Sequence, residues 1–204
     1  DLAAMAEREL MLSAMQQTQL ELIKQNRNLK RDSLIDPILG TWNKAAIIRS
    51  LRIEIERCRK AEKPMSLLFA SVDQIVTIRE TYGAAARDMV LVKIVSRIRS
   101  CIRPFDAMGR FENDTFLMVL PGASHLIATA VAERIRLTVM SHPDTIDEKA
   151  VNLTISSGII STDIFPDTEP EILITYAEKA LLSARNAGNN RVVQAMPEQP
   201  DNIS

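Results

Sequence analysis

Hydrophobic and polar positions divide the chain into one long uniform stretch and a following region of mixed periodicity. From Asp1 to about Leu34 there is no Gly or Pro, and Ala, Leu, Met, Glu, Gln and Lys dominate. These are strong helix formers, so one continuous helix is expected. In a heptad frame Met5, Leu12, Gln19 and Asn26 take the a positions, and Arg8, Met15, Leu22 and Leu29 take the d positions. Gln19 and Asn26 weaken the seam, although a buried polar residue at an a position sets register and a two-stranded state at some cost in stability. Two arrangements are open: a parallel homodimer through this helix, or a helix folded back on its own domain.

Pro37 and Gly40 end the helix, and the pattern then alternates between periods of 3.6 and 2, as in an α/β layered domain. Helices are expected over Asn43 to Glu62 with Asn43 as cap, Ala84 to Cys101, Ser124 to Met140 and Glu169 to Ala187. Met65 to Val72 is almost wholly apolar and is expected to be a central strand covered on both faces. Further strands are expected over Val151 to Ile160 and Arg191 to Gln194. Phe105 to Arg110 and Thr115 to Leu120 flank the polar turn Glu112-Asn113-Asp114 as a hairpin. The divisions are a helical stalk over 1–34, a folded domain over 35–195 and a polar, disordered tail over 196–204.

Charge narrows the function. With 25 basic and 26 acidic side chains in 204 residues, the net charge of −1 gives no field for holding a nucleic-acid backbone or a membrane surface. Runs such as Ser66 to Val72 are far shorter than the roughly 20 residues needed to span a bilayer. Cys58 and Cys101 lie in helical apolar patterns without metal-ligand spacing, as in a reduced, cytoplasmic chain. The chain does not begin with Met, so a longer parent with an upstream module is expected.

Several fixed spacings then accumulate. Asp36-Pro-Ile-Leu-Gly-Thr-Trp-Asn43-Lys44 resembles the motif D-x-L-T-G-L-x-N-R, and Tyr82-Gly83 and Asp88 follow the first strand. Arg110-Phe-Glu-Asn-Asp-Thr-Phe116 stands where R-Y-G-G-D-E-F would. Ala132-Glu-Arg-Ile-Arg136, Thr154-Ile-Ser-Ser-Gly158 and Ala184-Arg-Asn-Ala-Gly-Asn-Asn-Arg191 complete the order. From about Asp32 to Ala195 the chain resembles the GGDEF family. The resemblance implies a nucleotidyl-cyclase-like α+β sandwich, with a mainly antiparallel five-stranded sheet flanked by helices. Active members condense two GTP into cyclic di-GMP.

The departures from the motif bear on that activity. The reaction needs metal ions held by carboxylates, one at the end of the first strand and one in the signature turn. Here those positions are Ser71 and Asp114, and a neutral hydroxyl does not replace a carboxylate around Mg²⁺. Asp73 lies two residues on, a displacement of roughly 6 to 7 Å along a strand. Glu112 and Asn113 occupy the glycine positions that let a backbone approach phosphate, with Glu112 expected to put negative charge near the triphosphate, and Thr115 replaces an acid. Arg79 stands in place of the guanine-reading Asn, and Asn189 replaces one phosphate-binding cation. Asp88, Asp114 and Arg185 remain as a residual nucleotide site. No cofactor is then required, and Mg²⁺ enters only with residual cyclase activity.

Arg103-Pro-Phe-Asp106 begins nine residues before Glu112, where the family carries its product-binding R-x-x-D. A guanidinium fork suits phosphate or guanine O6 and N7, a carboxylate accepts from guanine N–H groups, and Pro104 is expected to stiffen a turn aiming both side chains outward. Arg134 matches a position from which a second domain of family members donates to the same ligand. His125 and His142 have no catalytic partners at recognisable spacing, and Trp42 is expected to pack the stalk against the domain. Three readings stand: a catalytically inactive cyclic di-GMP receptor or relay on a dimerising helix below an upstream sensor, an active diguanylate cyclase, and a structural docking domain that binds no nucleotide.

Overall fold

The computed structural model describes residues 2–198; of the expected tail, 199–204 lie outside them. The first helix, α1 (Leu2–Asp32), leaves every side chain over residues 2–29 exposed, including Met5, Leu12, Met15, Leu22 and Leu29. The fold-back arrangement is therefore not the one adopted.

Helix α2 (Lys44–Lys60) starts where Asn43 Oδ1 accepts the Ala46 N–H at 2.9 Å, and it buries Ala46, Ile47, Leu51, Ile55 and Cys58 on one face. Strand β1 (Met65–Val72) is buried at all eight positions because it is the middle strand of five and both sheet faces are covered. Two helices follow, α3 (Ile75–Tyr82) and α4 (Ala84–Cys101), separated by Gly83 at φ +90°. The helix α3 is absent from the sequence reading because only Ile75 and Ile78 of its eight residues are buried, too few to show a period.

Strands β2 (Ala107–Glu112) and β3 (Thr115–Pro121) form the signature hairpin. Then come α5 (His125–Met140), the two-stranded ribbon β4 (Asp144–Ile146) and β5 (Lys149–Val151), β6 (Ile155–Ser161), α6 (Pro170–Asn186) and β7 (Val192–Gln194). The sheet order is β2-β3-β1-β6-β7, antiparallel throughout except for the parallel pair β6 and β7. Helices α3, α4 and α5 cover one face, and α2 and α6 the other.

Two strand expectations need correction. Phe105 lies outside β2 because Arg103 to Asp106 close a turn, with Asp106 N–H donating to the Arg103 carbonyl at 3.0 Å. The single strand expected over Val151 to Ile160 is broken at 152–154, where side chains outcompete the ladder. Thr154 donates its N–H to Gln74 Oε1 at 2.8 Å and accepts from the Asp73 N–H at 3.0 Å. The ribbon ahead of this break is clamped to α4 by Asp144, whose carboxylate is 3% exposed and held by both terminal nitrogens of Arg97 at 2.8 and 3.0 Å.

Candidate functional site

The carboxyl end of β1 carries Ser71, buried between Thr115 on β3 and Ser156 on β6. No carboxylate occupies this point. Asp73 is close in sequence but fully engaged: Oδ1 accepts from Ser156 Oγ at 2.7 Å, and Oδ2 accepts from Thr154 Oγ1 at 2.7 Å and the Asn190 N–H at 3.0 Å. It ties β1 to β6 and to the turn before β7.

Across from Ser71, the hairpin reverses through Asn113 and Asp114, with a bulge between Arg110 and Glu112. Asn113 sits at φ +30°, in the left-handed region that Asn tolerates better than most residues. Arg110 braces this turn, giving Nε to the Asn113 carbonyl and Nη1 to Asp36 Oδ2 at 3.2 Å. Glu112 departs from expectation. It turns outward to Lys44 Nζ at 3.0 Å, and that ammonium lies 4.4 Å over the Phe111 ring, so the Glu112 charge is compensated on the rim. Asp114 Oδ1 is buried with no hydrogen-bond partner among the described residues. One orphaned oxygen beside a serine and a fully engaged Asp73 does not fit a pair of magnesium ions, and among the described residues no three His, Cys, Asp or Glu side chains group to hold a metal.

The R-x-x-D turn also differs from expectation. The Asp106 carboxylate is 1% exposed and faces inward: Oδ2 accepts the Arg103 N–H at 2.8 Å and Nε at 3.3 Å, and Oδ1 accepts Arg103 Nη2 at 3.2 Å. Capping its own turn satisfies a backbone donor and the ion pair together, which a solvated carboxylate does not. Arg103 stays 40% exposed, reaches the Pro121 carbonyl at 2.9 Å and lies 4.5 Å over the Phe105 ring. It stands between two clefts. One, of about 450 Å³, lies towards Trp42, Gly40 and Arg99; the other, of about 550 Å³, lies towards Arg57, Lys63 and Phe105. Arg134, on α5, donates Nη1 to the Cys101 carbonyl at 3.4 Å, two residues before Arg103.

The model of the diguanylate cyclase GGDEF domain matches residues 33–191, most of the chain. The chain belongs to the GGDEF family. It is 34% identical over 139 residues to diguanylate cyclase A of Treponema denticola, covering 68% of this chain and 37% of that protein. It is 29% identical over 163 residues to the response regulator PleD of Caulobacter vibrioides, covering 79% of this chain and 36% of that protein. The chain thus spans just over a third of the length of these relatives. Among solved structures, the coiled coil and GGDEF domain of DgcB from Caulobacter crescentus in complex with c-di-GMP superposes with a TM-score of 0.85 at 21% identity. That match covers 92% of this chain and 98% of the other. Diguanylate cyclase SiaD of Pseudomonas aeruginosa, in complex with its activator SiaC, gives a TM-score of 0.75 at 27% identity over 92% of this chain and 72% of the other.

Within this GGDEF domain the residual nucleotide residues come from three separate elements, α4, the β2–β3 turn and α6. Asp88, in the first turns of α4, accepts from Arg87 Nε and Nη2 at 3.3 and 3.2 Å. Arg79 is exposed at the end of α3, and Arg185 is exposed in the last turn of α6. No hydrogen bond or ion pair joins Asp88, Asp114 and Arg185 among the described residues. Asn189 has φ +63°, a conformation Asn accepts more readily than the Arg it replaces. His125 and His142 serve helix ends: His125 pairs with Asp163 at the start of α5, and His142 Nδ1 contacts the Thr138 carbonyl at 2.7 Å beyond its end. Trp42 is fixed through its backbone to β2, with its N–H on the Met108 carbonyl at 3.2 Å and its carbonyl accepting the Arg110 N–H at 2.9 Å, and it also bridges Ile35 at the foot of the stalk.

The sequence reading missed Arg99 and Trp42 as walls of the first cleft. For Arg99 a signal was present, since it is a basic residue in the last turn of the helix that ends just before Arg103. For Trp42 there was none, because the cleft exists only once the Asp36 loop docks on β2.

The rim also contains Glu178, whose carboxyl is raised above its ordinary value by burial first and the Glu112 charge second, with Lys44 pulling the other way. A raised carboxyl favours folding below its unfolded value and loses that contribution as pH rises through the folded one. Glu178→Gln should therefore stabilise the domain by about 0.3 kcal/mol near pH 7, a size set by solvent screening at an exposed position. Thermal melts of both forms should converge below about pH 4; a gap that persists there, or that reverses sign at neutrality, contradicts this account.

Proposed function

We propose that this GGDEF domain does not condense GTP and acts as a cyclic di-GMP receptor or regulatory relay, joined through α1 to a second copy and to an upstream sensor. The observation that carries the first half is the end of β1, where Ser71 replaces the metal carboxylate and Asp73 has both oxygens committed to Ser156, Thr154 and Asn190. Losing one metal ion forfeits about 4 kcal/mol of transition-state stabilisation, or roughly a thousandfold in rate. Support for the second half comes from the registered Arg103 and Asp106, from Arg134 next to them, and from the exposed apolar stripe along α1. The buried and unpartnered Asp114 Oδ1 favours the rival reading of a cyclase that keeps one cation contact.

Incubation with GTP and Mg²⁺ at high protein concentration separates them: product formation is expected at least about a thousandfold below an intact cyclase. A rate within about tenfold of one would defeat the proposal. Titration calorimetry with cyclic di-GMP is expected to give heat from the wild-type chain and none from Arg103→Ala. Equal heat from both would remove Arg103 from the site, and no heat from either would favour a docking role.

A further inference from the structure

The cleft on the Trp42 side of Arg103 has the features of a nucleotide site that extends the R-x-x-D turn. We infer that a guanine base stacks on Trp42 there while Arg99 and Arg103 hold the adjoining phosphate, an assignment that rests on the cyclic di-GMP reading above. Trp42 is the only tryptophan in the chain, is 41% exposed, and enters no ring or cation contact among the described residues. Its backbone is bonded to β2 on both sides, so the indole is presented from a rigid edge. Arg99 projects into the same cleft and donates Nη2 to the Gly40 carbonyl at 3.0 Å, and no carboxylate pairs with it among the described residues. Because Arg103 already neutralises Asp106, the positive charge of Arg99 is the uncompensated one. A volume of about 450 Å³ lies in the range of small-molecule sites.

A flat base on an indole and a phosphate on a guanidinium fork are what these two side chains recognise best. The cleft on the other side is less prepared. Its Arg57 is paired with Glu54 at 3.1 Å, and the face of its Phe105 ring is already covered by Arg103. Only Lys63 there carries an unpaired charge among the described residues.

The test is a parallel titration of the full chain with cyclic di-GMP and with GMP, read by calorimetry and by Trp42 emission. Circular dichroism melts confirm that each variant is folded. Emission should be quenched with the same midpoint as the heat. Arg99→Gln and Trp42→Ala should each weaken binding by about tenfold or more, while Trp42→Phe, which keeps a stacking face, should stay within about threefold. Heat that disappears only in Arg103→Ala, with emission unchanged and Arg99→Gln unaffected, would place the ligand on the Phe105 side and overturn the inference while leaving the receptor reading intact. Should wild type ignore cyclic di-GMP, the receptor reading falls; quenching by GMP that is lost in Arg99→Gln would still sustain the cleft, and silence towards both ligands would end it.

Discussion

Alanine in place of Asp73 is expected to cost the domain about 3 to 4 kcal/mol, measured by urea denaturation with an unchanged slope. The carboxylate accepts from two hydroxyls and one backbone N–H, drawn from β6, the residue preceding it and the turn before β7. Hydrogen bonds to a charged acceptor contribute about 1.5 to 3 kcal/mol each, and losing three at once is less than additive because the donors relax together. Asp73→Asn keeps the shape and one acceptor oxygen, and the hydroxyls rotate to suit, so it should cost about 1 kcal/mol. In the alanine variant the Asn190 amide should exchange with solvent faster than neighbouring β6 amides. Asp73 would be a spare metal ligand instead of a tie if alanine cost under about 1 kcal/mol and millimolar Mg²⁺ raised the wild-type melting temperature.

Asp73 also shows where sequence reading stops. Strand spacing sets it two residues beyond Ser71, yet its three partners come from 81 to 117 residues away, and no local pattern announces them. Periodicity performs well where one face is buried against a continuous surface, as in α2 with its buried Ala46, Ile47, Leu51, Ile55 and Cys58. It fails where an element is short or where side chains replace the ladder. The eight residues of α3 and the break at 152–154 are those cases.

Motif spacing carries a different limit. It puts Arg103 and Asp106 three residues apart in a turn, and the two side chains pair there. It says nothing about direction. A carboxylate three residues after an arginine is also the natural cap of a tight turn, and Asp106 takes that geometry, leaving Arg103 as the exposed member of the pair. Glu112 repeats the lesson, since the spacing puts it beside a phosphate site while Lys44, 68 residues away, draws it to the rim.

Gly158→Ala is expected to destabilise the domain by about 3 kcal/mol or more, lowering the melting temperature by roughly 6 to 12 °C. Gly158 lies on β6 directly beneath α6, and a β-carbon there would fall inside contact distance of the Leu181 nitrogen and the Ala177 carbonyl. Both obstacles are helix backbone, so relief requires lifting α6 off the sheet and opening the core around Leu173, Ala177 and Leu181. Gly109 on β2 offers the contrast, because a β-carbon there meets the Ile47 side chain. Gly109→Ala combined with Ile47→Ala should therefore cost about 1 kcal/mol less than the sum of the single changes, since the second removes part of the clash created by the first. Gly158→Ala combined with Leu181→Ala should be additive within about 0.5 kcal/mol, because trimming a side chain leaves the obstructing backbone in place. Rescue of Gly158→Ala by trimming Leu181 would mean that α6 yields to the sheet through its side chains, and that the close approach of helix and strand at this point is not what holds the α6 face together.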